Sequence, residues 1–174
     1  IAVSKYADGL PLYRLESVLE RAGIRLPRAT TAHWMIGCGE GIQPLINLMQ
    51  DRMLGYGYIR MDETSVQVLK EPGRAATSKS YMWVRRGGPL EAPVVLFDYD
   101  PSRSGQVPKD LLEGYKGWLQ TDAYKGYLAV GSRRGVELLG CWAHARRRFV
   151  DAAKAGGKKA KAAYAVKLIG KLYR

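Results

Sequence analysis

Two aspartates carry the chemical interest of this sequence. Asp62 lies in YIRMDETSVQVL, a run of β-forming residues, and Asp122 closes the stretch WLQT at the start of DAYKGY. An acid at the end of a strand is commonly a turn residue, because Asp bonds its own backbone two residues on. Two acids converging from neighbouring strands are a different object. Their carboxylates repel unless a cation neutralises them, and a hard divalent ion with oxygen ligands, Mg²⁺ or Mn²⁺, suits them. A pair of such ions about 3.5–4 Å apart can activate a water or a 3′-hydroxyl and stabilise the leaving oxygen of a phosphodiester. The chemistry is conditional on the fold: Asp62 and Asp122 matter together only if their strands are neighbours.

The strands can be read from pattern. YIRMDETSVQVL, YMWVRR and VVLFDYD are three β-rich runs separated by the loops KEPGRAATSKS and GGPLEAP. In the first run the apolar parity shifts from Ile59 and Met61 to Val66 and Val68, which predicts a bulge or twist across Asp62–Ser65. After the turn PSRSGQ, Pro108 fits the first turn of a helix, PKDLLEGYKG. WLQT is a fourth strand, DAYKGYLAVGSRRG reads as helix or loop, and VELLGCW is a fifth strand running into the helix AHARRRFVDAAKA. Beyond a Gly156–Gly157 break, a basic helix carries Tyr164, Leu168 and Leu172 on one stripe.

Three strands in succession make an antiparallel meander, and strands reached through helices run parallel to their neighbours. The class is therefore α/β, a mixed sheet covered by helices. That order matches a ribonuclease H-like fold, although strand count alone leaves other α/β sheets open. In the ribonuclease H-like arrangement the first and fourth strands adjoin, which brings Asp62 and Asp122 together.

The N-terminal third has a different texture. Leu12, Leu15, Leu19 and Ala22 recur at helical spacing, and Gly23 stands where a C-terminal cap belongs. Thr30 or Thr31 can cap a second short helix with Trp34 and Met35 as its apolar contacts. IQPLINLMQDRML reads as a third helix, ending at the break Gly55–Gly57. A helix, a Gly-centred turn and a helix starting near Arg28 outline a helix-turn-helix, a signal that any helical hairpin also gives. The expected division is a helical region over 1–55 and an α/β core over 56–174.

Charge points to the partner. Lys plus Arg number 28 against 16 for Asp plus Glu, a net charge of +12. A field of that sign attracts polyanions, of which nucleic acid is the usual one. Arg146, Arg147 and Arg148 span about 200° of a helix, so one or two of them can contact phosphate but not all three at once. Arg28, Thr30 and Thr31 are the DNA-contact candidates of the second helix, where Trp34 reads equally as core and Arg28 as a solvated charge. Lys158, Lys159 and Lys161 form a basic tail that reads as a solvated helix face or a DNA track. Cys141 and His144 are spaced like half a zinc site, but structural zinc takes four ligands, so zinc is not expected. No apolar run approaches the roughly 18–20 residues of a membrane-spanning helix, and no signal peptide opens the chain. Two cysteines, Cys38 and Cys141, are too few for a disulfide framework and fit a reducing cytoplasm.

MDETSVQVL, LQTDAYKGY and GCWAHARRRF, in this order and around this strand pattern, resemble the transposases of the insertion sequence sixty-six family. KYADGLPLYRLESVLERAGIRLPRATTAHW resembles the segment that precedes the catalytic core in that family, so the likeness covers essentially the whole chain. The resemblance implies a bacterial DDE-type DNA transposase, in which two Asp and one Glu hold Mg²⁺ or Mn²⁺ for strand cleavage and strand transfer. Asp62 and Asp122 fall on the first two acidic positions and become the expected catalytic and metal-binding pair. Similar Cys-x-x-His strings follow the second Asp in several transposase groups, which places Cys141 and His144 as auxiliary residues near the acids. Element ends and target DNA are the implied partners, with a homo-oligomeric active complex, element-encoded accessory proteins and a nucleoid-associated, cytoplasmic location.

One part of that pattern is missing. The family's Glu lies downstream in an Asn-rich segment followed by Glu-Arg, which this sequence lacks. Glu137 sits in a predicted strand too close to Asp122, and Glu63 should point to the opposite face from Asp62. The expectation is the first part of a transposase, inactive alone. Two other readings stay open: a ribonuclease H-like nuclease or resolvase, which cleaves without joining, and a non-catalytic, truncated element product that binds DNA without metal.

Overall fold

Helices come first in the chain. In the computed structural model, which describes residues 1–156 and 161–173, α1 (Ala2–Tyr6), α2 (Leu12–Arg21) and α3 (Arg28–Leu54) precede the sheet. α2 buries Leu15, and beyond its C-cap Ala22 the left-handed Gly23 (φ +80°) ends the helix as its spacing predicts. α3 corrects the expectation of two short helices, because it runs unbroken for 27 residues through Gly37, Gly39, Gly41 and Pro44. Each glycine costs only about 1 kcal/mol in a helix, and extending a helix is easier than nucleating another. Neither Thr30 nor Thr31 caps it. The Arg28 backbone N–H at its start donates instead to Glu16 Oε1 of α2 (3.1 Å). No described helix is long and apolar enough to cross a membrane. The chain divides into two compact units, Ile1–Leu48 and Met49–Arg174, with the division inside α3.

Five strands make one sheet: β1 (Tyr58–Gln67), β2 (Lys79–Gly87), β3 (Val94–Asp100), β4 (Gly117–Thr121) and β5 (Val136–Gly140). Their order is β3-β2-β1-β4-β5. The first three pair antiparallel, and β1–β4 and β4–β5 pair parallel. α4 (Gln106–Leu111) crosses from β3 to β4. A 3-10 turn at Lys125–Tyr127 followed by α5 (Leu128–Gly131) crosses from β4 to β5, so the segment that read as helix or loop is some of each. α6 (Trp142–Gly156) and α7 (Lys161–Gly170) follow. This mixed sheet with its helices is the ribonuclease H-like arrangement expected from the order of elements.

Of the expected bulge or twist, no bulge is present. β1 pairs with β2 without interruption from Ile59↔Gly87 to Gln67↔Lys79. Parity shifts for a chemical reason: the inward position after Ile59 and Met61 is occupied by Glu63, whose side chain is 1% exposed, while Val66 lies on the other face. The same inward face carries Trp83, Leu96 and Leu119, with Leu112, Tyr115 and Val130 of the connections also buried. The opposite face is open, with Phe97 and Trp118 largely exposed. α7 also departs from its expected stripe. Tyr164, Leu168 and Leu172 are exposed, and Ala162, Val166 and Ile169 take the inward positions of a helix that packs on α6. Lys158 and Lys159 of the basic tail lie outside the described residues.

Arg85 is buried in the inward face and fully engaged. Its guanidinium donates to Asp98 Oδ2 (2.7 and 3.0 Å), to the Leu111 carbonyl (2.9 Å) and to Gln50 Oε1, tying β2 to β3 and to α4. Removing one partner of a buried pair leaves an uncompensated charge, which costs more than replacing both. Asp98→Ala is therefore expected to destabilise the fold by about 2–3 kcal/mol in urea unfolding, below the fully buried range because Asp98 is partly exposed. Arg85→Met/Asp98→Ala together should lose less than Asp98→Ala alone.

Candidate metal and nucleic-acid site

Register brings the two aspartates together. β1 and β4 run parallel with Ile59 beside Leu119 and Arg60 beside Gln120. Asp62 and Asp122 each stand two residues further along, at the same level and on the same side, because side chains alternate with period two. Carboxylate oxygens of Asp62, Glu63 and Asp122 lie within 4.8 Å of one another, and no other such group of three ligating side chains occurs among the described residues.

The three acids are not equivalent. Glu63 Oε1 accepts from Arg103 Nε (2.8 Å) and forms an ion pair with its Nη2 (2.6 Å), and Oε2 accepts from the Tyr127 hydroxyl (2.6 Å). Glu63 in turn holds Arg103 more basic than an ordinary guanidinium. Burial first, and the Glu63 bond second, push the Tyr127 hydroxyl far above its usual range, so it remains a donor at any working pH. Glu63 is thereby neutralised from within.

Asp62 and Asp122 have no such cation. Asp62 Oδ1 accepts the Glu63 backbone N–H (2.9 Å), and its Oδ2 lies 3.5 Å from His144 Nε2. Asp122 Oδ1 accepts the Tyr124 backbone N–H (2.8 Å) in a tight turn through Ala123, which adopts φ +69°. No Lys or Arg among the described residues forms an ion pair with either. Hard oxygen donors, excess negative charge and access to a cleft are the donor chemistry that fits Mg²⁺ or Mn²⁺.

That cleft, about 280 Å³, is lined by Arg60, Asp62, Arg86, Asp122, Cys141 and His144. The auxiliary pair Cys141 and His144 thus shares a cavity with both acids. Cys141 is a free, half-buried thiol, and His144 Nδ1 is buried with no partner among the described residues. Behind Asp122 a second hollow of about 500 Å³ is walled by Trp142, Ala145, Arg148 and Phe149. All three arginines of α6 are exposed, and Arg148, one helical turn beyond His144, lines a hollow with Asp122. In the N-terminal unit Arg28 is exposed and 4.0 Å from Glu16, and Thr30 is half-buried. Thr31 is fully buried, its hydroxyl donating to the Arg28 carbonyl (2.9 Å), so it offers no surface to a ligand.

Arg60 and Arg86 escape sequence reading. They are cross-strand partners on β1 and β2, one alternation from Asp62 on the open face. Like charges directly opposite one another are destabilising unless an anion lies between them. The parity of Arg60 with Asp62 is visible in the sequence, but Arg86 needs the register.

Crowding of unneutralised acids has a measurable signature. Asn at position 62 or 122 keeps the oxygen that accepts the backbone N–H and removes the charge. In a chelating buffer, Asp62→Asn or Asp122→Asn is expected to raise stability by about 0.5–1 kcal/mol through relief of repulsion, read as a higher Tm. A lower Tm for both would show that the acids do not repel.

A family model described as "Transposase IS66 family" matches residues 1–174. Three curated proteins of Sinorhizobium fredii (strain NBRC 101917 / NGR234) are similar to the chain. "Uncharacterized protein y4qI" is 36% identical over 87% of this chain and 30% of its own length. "Uncharacterized protein y4jD" is 32% identical over 90% and 33%, and "Uncharacterized protein y4hP" 26% identical over 88% and 29%. The chain spans about a third of the length of these relatives. No solved structure matches it. With its family model matched from end to end and its strands in ribonuclease H-like order, the chain belongs to the Transposase IS66 family.

Proposed function

We propose that these residues form the first part of a DDE-type transposase core, in which Asp62 and Asp122 together hold a divalent metal for cleavage and strand transfer of DNA. The observation that carries the reading is the pair of unneutralised carboxylates set side by side by the β1–β4 register. Mg²⁺ or Mn²⁺ bound there would supply Lewis-acid polarisation of a phosphodiester and a more acidic water. The protein's own contribution is placement. Backbone N–H groups of Glu63 and Tyr124 orient one oxygen of each aspartate, and the second oxygen of Asp62 faces His144. Arg60 and Arg86, together with Arg148, supply phosphate contacts on either side of the acids. His144 lies within reach of Asp62 through a water or a small shift and can fix its carboxylate or meet substrate.

Glu63 does not serve as the third acid in this reading, because both its oxygens are engaged internally. A further ligand must come from elsewhere in the whole transposase. DNA at element ends and target is the partner, and a multimer on paired ends is the working form. The α2–α3 hairpin, with Arg28 and Thr30 at its surface, is a second DNA contact.

Two measurements test this. In a family protein carrying these residues, Asp62→Asn or Asp122→Asn should abolish cleavage and joining of element ends while DNA binding persists. Cleavage without joining would point to a nuclease or resolvase, and metal-independent binding with neither activity to a binding protein. For this chain, Arg148→Ala should reduce the salt dependence of duplex binding by about one unit of log–log slope. An unchanged slope removes Arg148 from the interface.

A further inference from the structure

Asp122 sits on a loop that must be held in place. Ala123 has no backbone excuse for φ +69°, a conformation costing a β-carbon-bearing residue roughly 1 kcal/mol or more. Such a residue persists only where its surroundings over-determine it. The surroundings here are built around Arg103, in the loop after β3.

Arg103 and the loop that carries it meet the Asp122 loop in three ways. Its guanidinium carbon stands 4.1 Å from the centre of the Tyr124 ring, a stacking distance for a cation on an aromatic face. Its backbone carbonyl accepts the Tyr124 hydroxyl (2.7 Å). Two residues on, the loops touch: a Cβ at Gly105 would come within 2.8 Å of the Gly126 carbonyl oxygen. On its other side Arg103 is anchored to the buried Glu63 of β1, beside Asp62. Tyr127 closes the ring of contacts, bonding Glu63 and packing edge-on against Tyr124 with centroids 6.1 Å apart.

We propose that Arg103 is the positioning residue of the metal site, a clamp between Glu63 and Tyr124 that sets the Asp122 carboxylate beside Asp62. Arg103 itself touches neither aspartate and holds no metal. Glu63 is the anchor of the clamp, which explains why an acid occupies a core position of β1. A lysine could keep the charge toward Glu63 but lacks the planar face for Tyr124. The inference rests on the reading of Asp122 as a metal ligand, and its test separates the two.

The test uses this chain with Arg103→Met and with the paired variant Glu63→Gln/Arg103→Met, which removes the buried charge along with its partner and so guards against failure to fold. Hydrogen exchange is first measured in chelator, where no metal contributes. Exchange over 122–127 should rise by about 10-fold in both variants, with β1 and β2 unchanged. Mn²⁺ titration should then show affinity falling by about 10-fold, with partial recovery in Arg103→Lys. Unaltered exchange at 122–127 overturns the clamp, as does unaltered Mn²⁺ affinity when Asp122→Asn has lost it. If the variants exchange as described yet the wild-type chain binds no Mn²⁺, the metal reading fails and the role assigned to Arg103 falls with it.

Discussion

Like charges cannot be brought together in a protein without something to balance them, and this fold brings together three carboxylates. Asp62 and Glu63 are adjacent on β1, and Asp122 arrives from β4 at the same level. One of the three is balanced inside the protein by Arg103 and Tyr127. The other two are left open to a cleft whose further walls carry arginines. The uneven treatment of chemically similar groups marks the site. A structural cluster would be neutralised throughout, whereas a site for an exchangeable cation leaves its negative charge unmatched.

The contrast with Arg85 supports that interpretation. Arg85 is a buried charge as well, yet each of its three guanidinium nitrogens meets an acceptor from β3, α4 or α3. Glu71 shows the same economy nearer the surface, its carboxyl lowered by bonds from Tyr99 and Ser80 and by Arg74. The chain satisfies its charges where they serve the fold. On the open face the opposed Arg60 and Arg86, and beside them Asp62 and Asp122, are opposite charges in separate pairs that do not neutralise each other. Phosphate beside metal is the ligand chemistry complementary to that arrangement.

Much of this was legible in the sequence, and the limits are physical. Strand order followed from β-rich runs and the placement of helices, and it carried the proximity of Asp62 and Asp122 with it. Local parity misled at Asp62–Ser65, because an inward-facing glutamate imitates a bulge when its partners lie far along the chain at Arg103 and Tyr127. A short helix after Thr30 and a separate one from Ile42 were expected, and the long α3 joins them. Thr31 reads as a cap or contact residue by type, yet it is turned inward by a helix start that Glu16 supplies. Arg86 was invisible because its meaning comes entirely from pairing with Arg60.

In the proposed site Asp62 and Asp122 jointly hold one divalent cation while Glu63 stays paired with Arg103. Crystals of this chain grown with Mn²⁺ and measured at a wavelength where manganese scatters anomalously test it most directly. The expected result is an anomalous peak within coordination distance, about 2.0–2.3 Å, of one oxygen from each aspartate, with the Glu63–Arg103 pair intact. A peak coordinated by Glu63 with Arg103 displaced, or no peak between the two aspartates at saturating Mn²⁺, would contradict it.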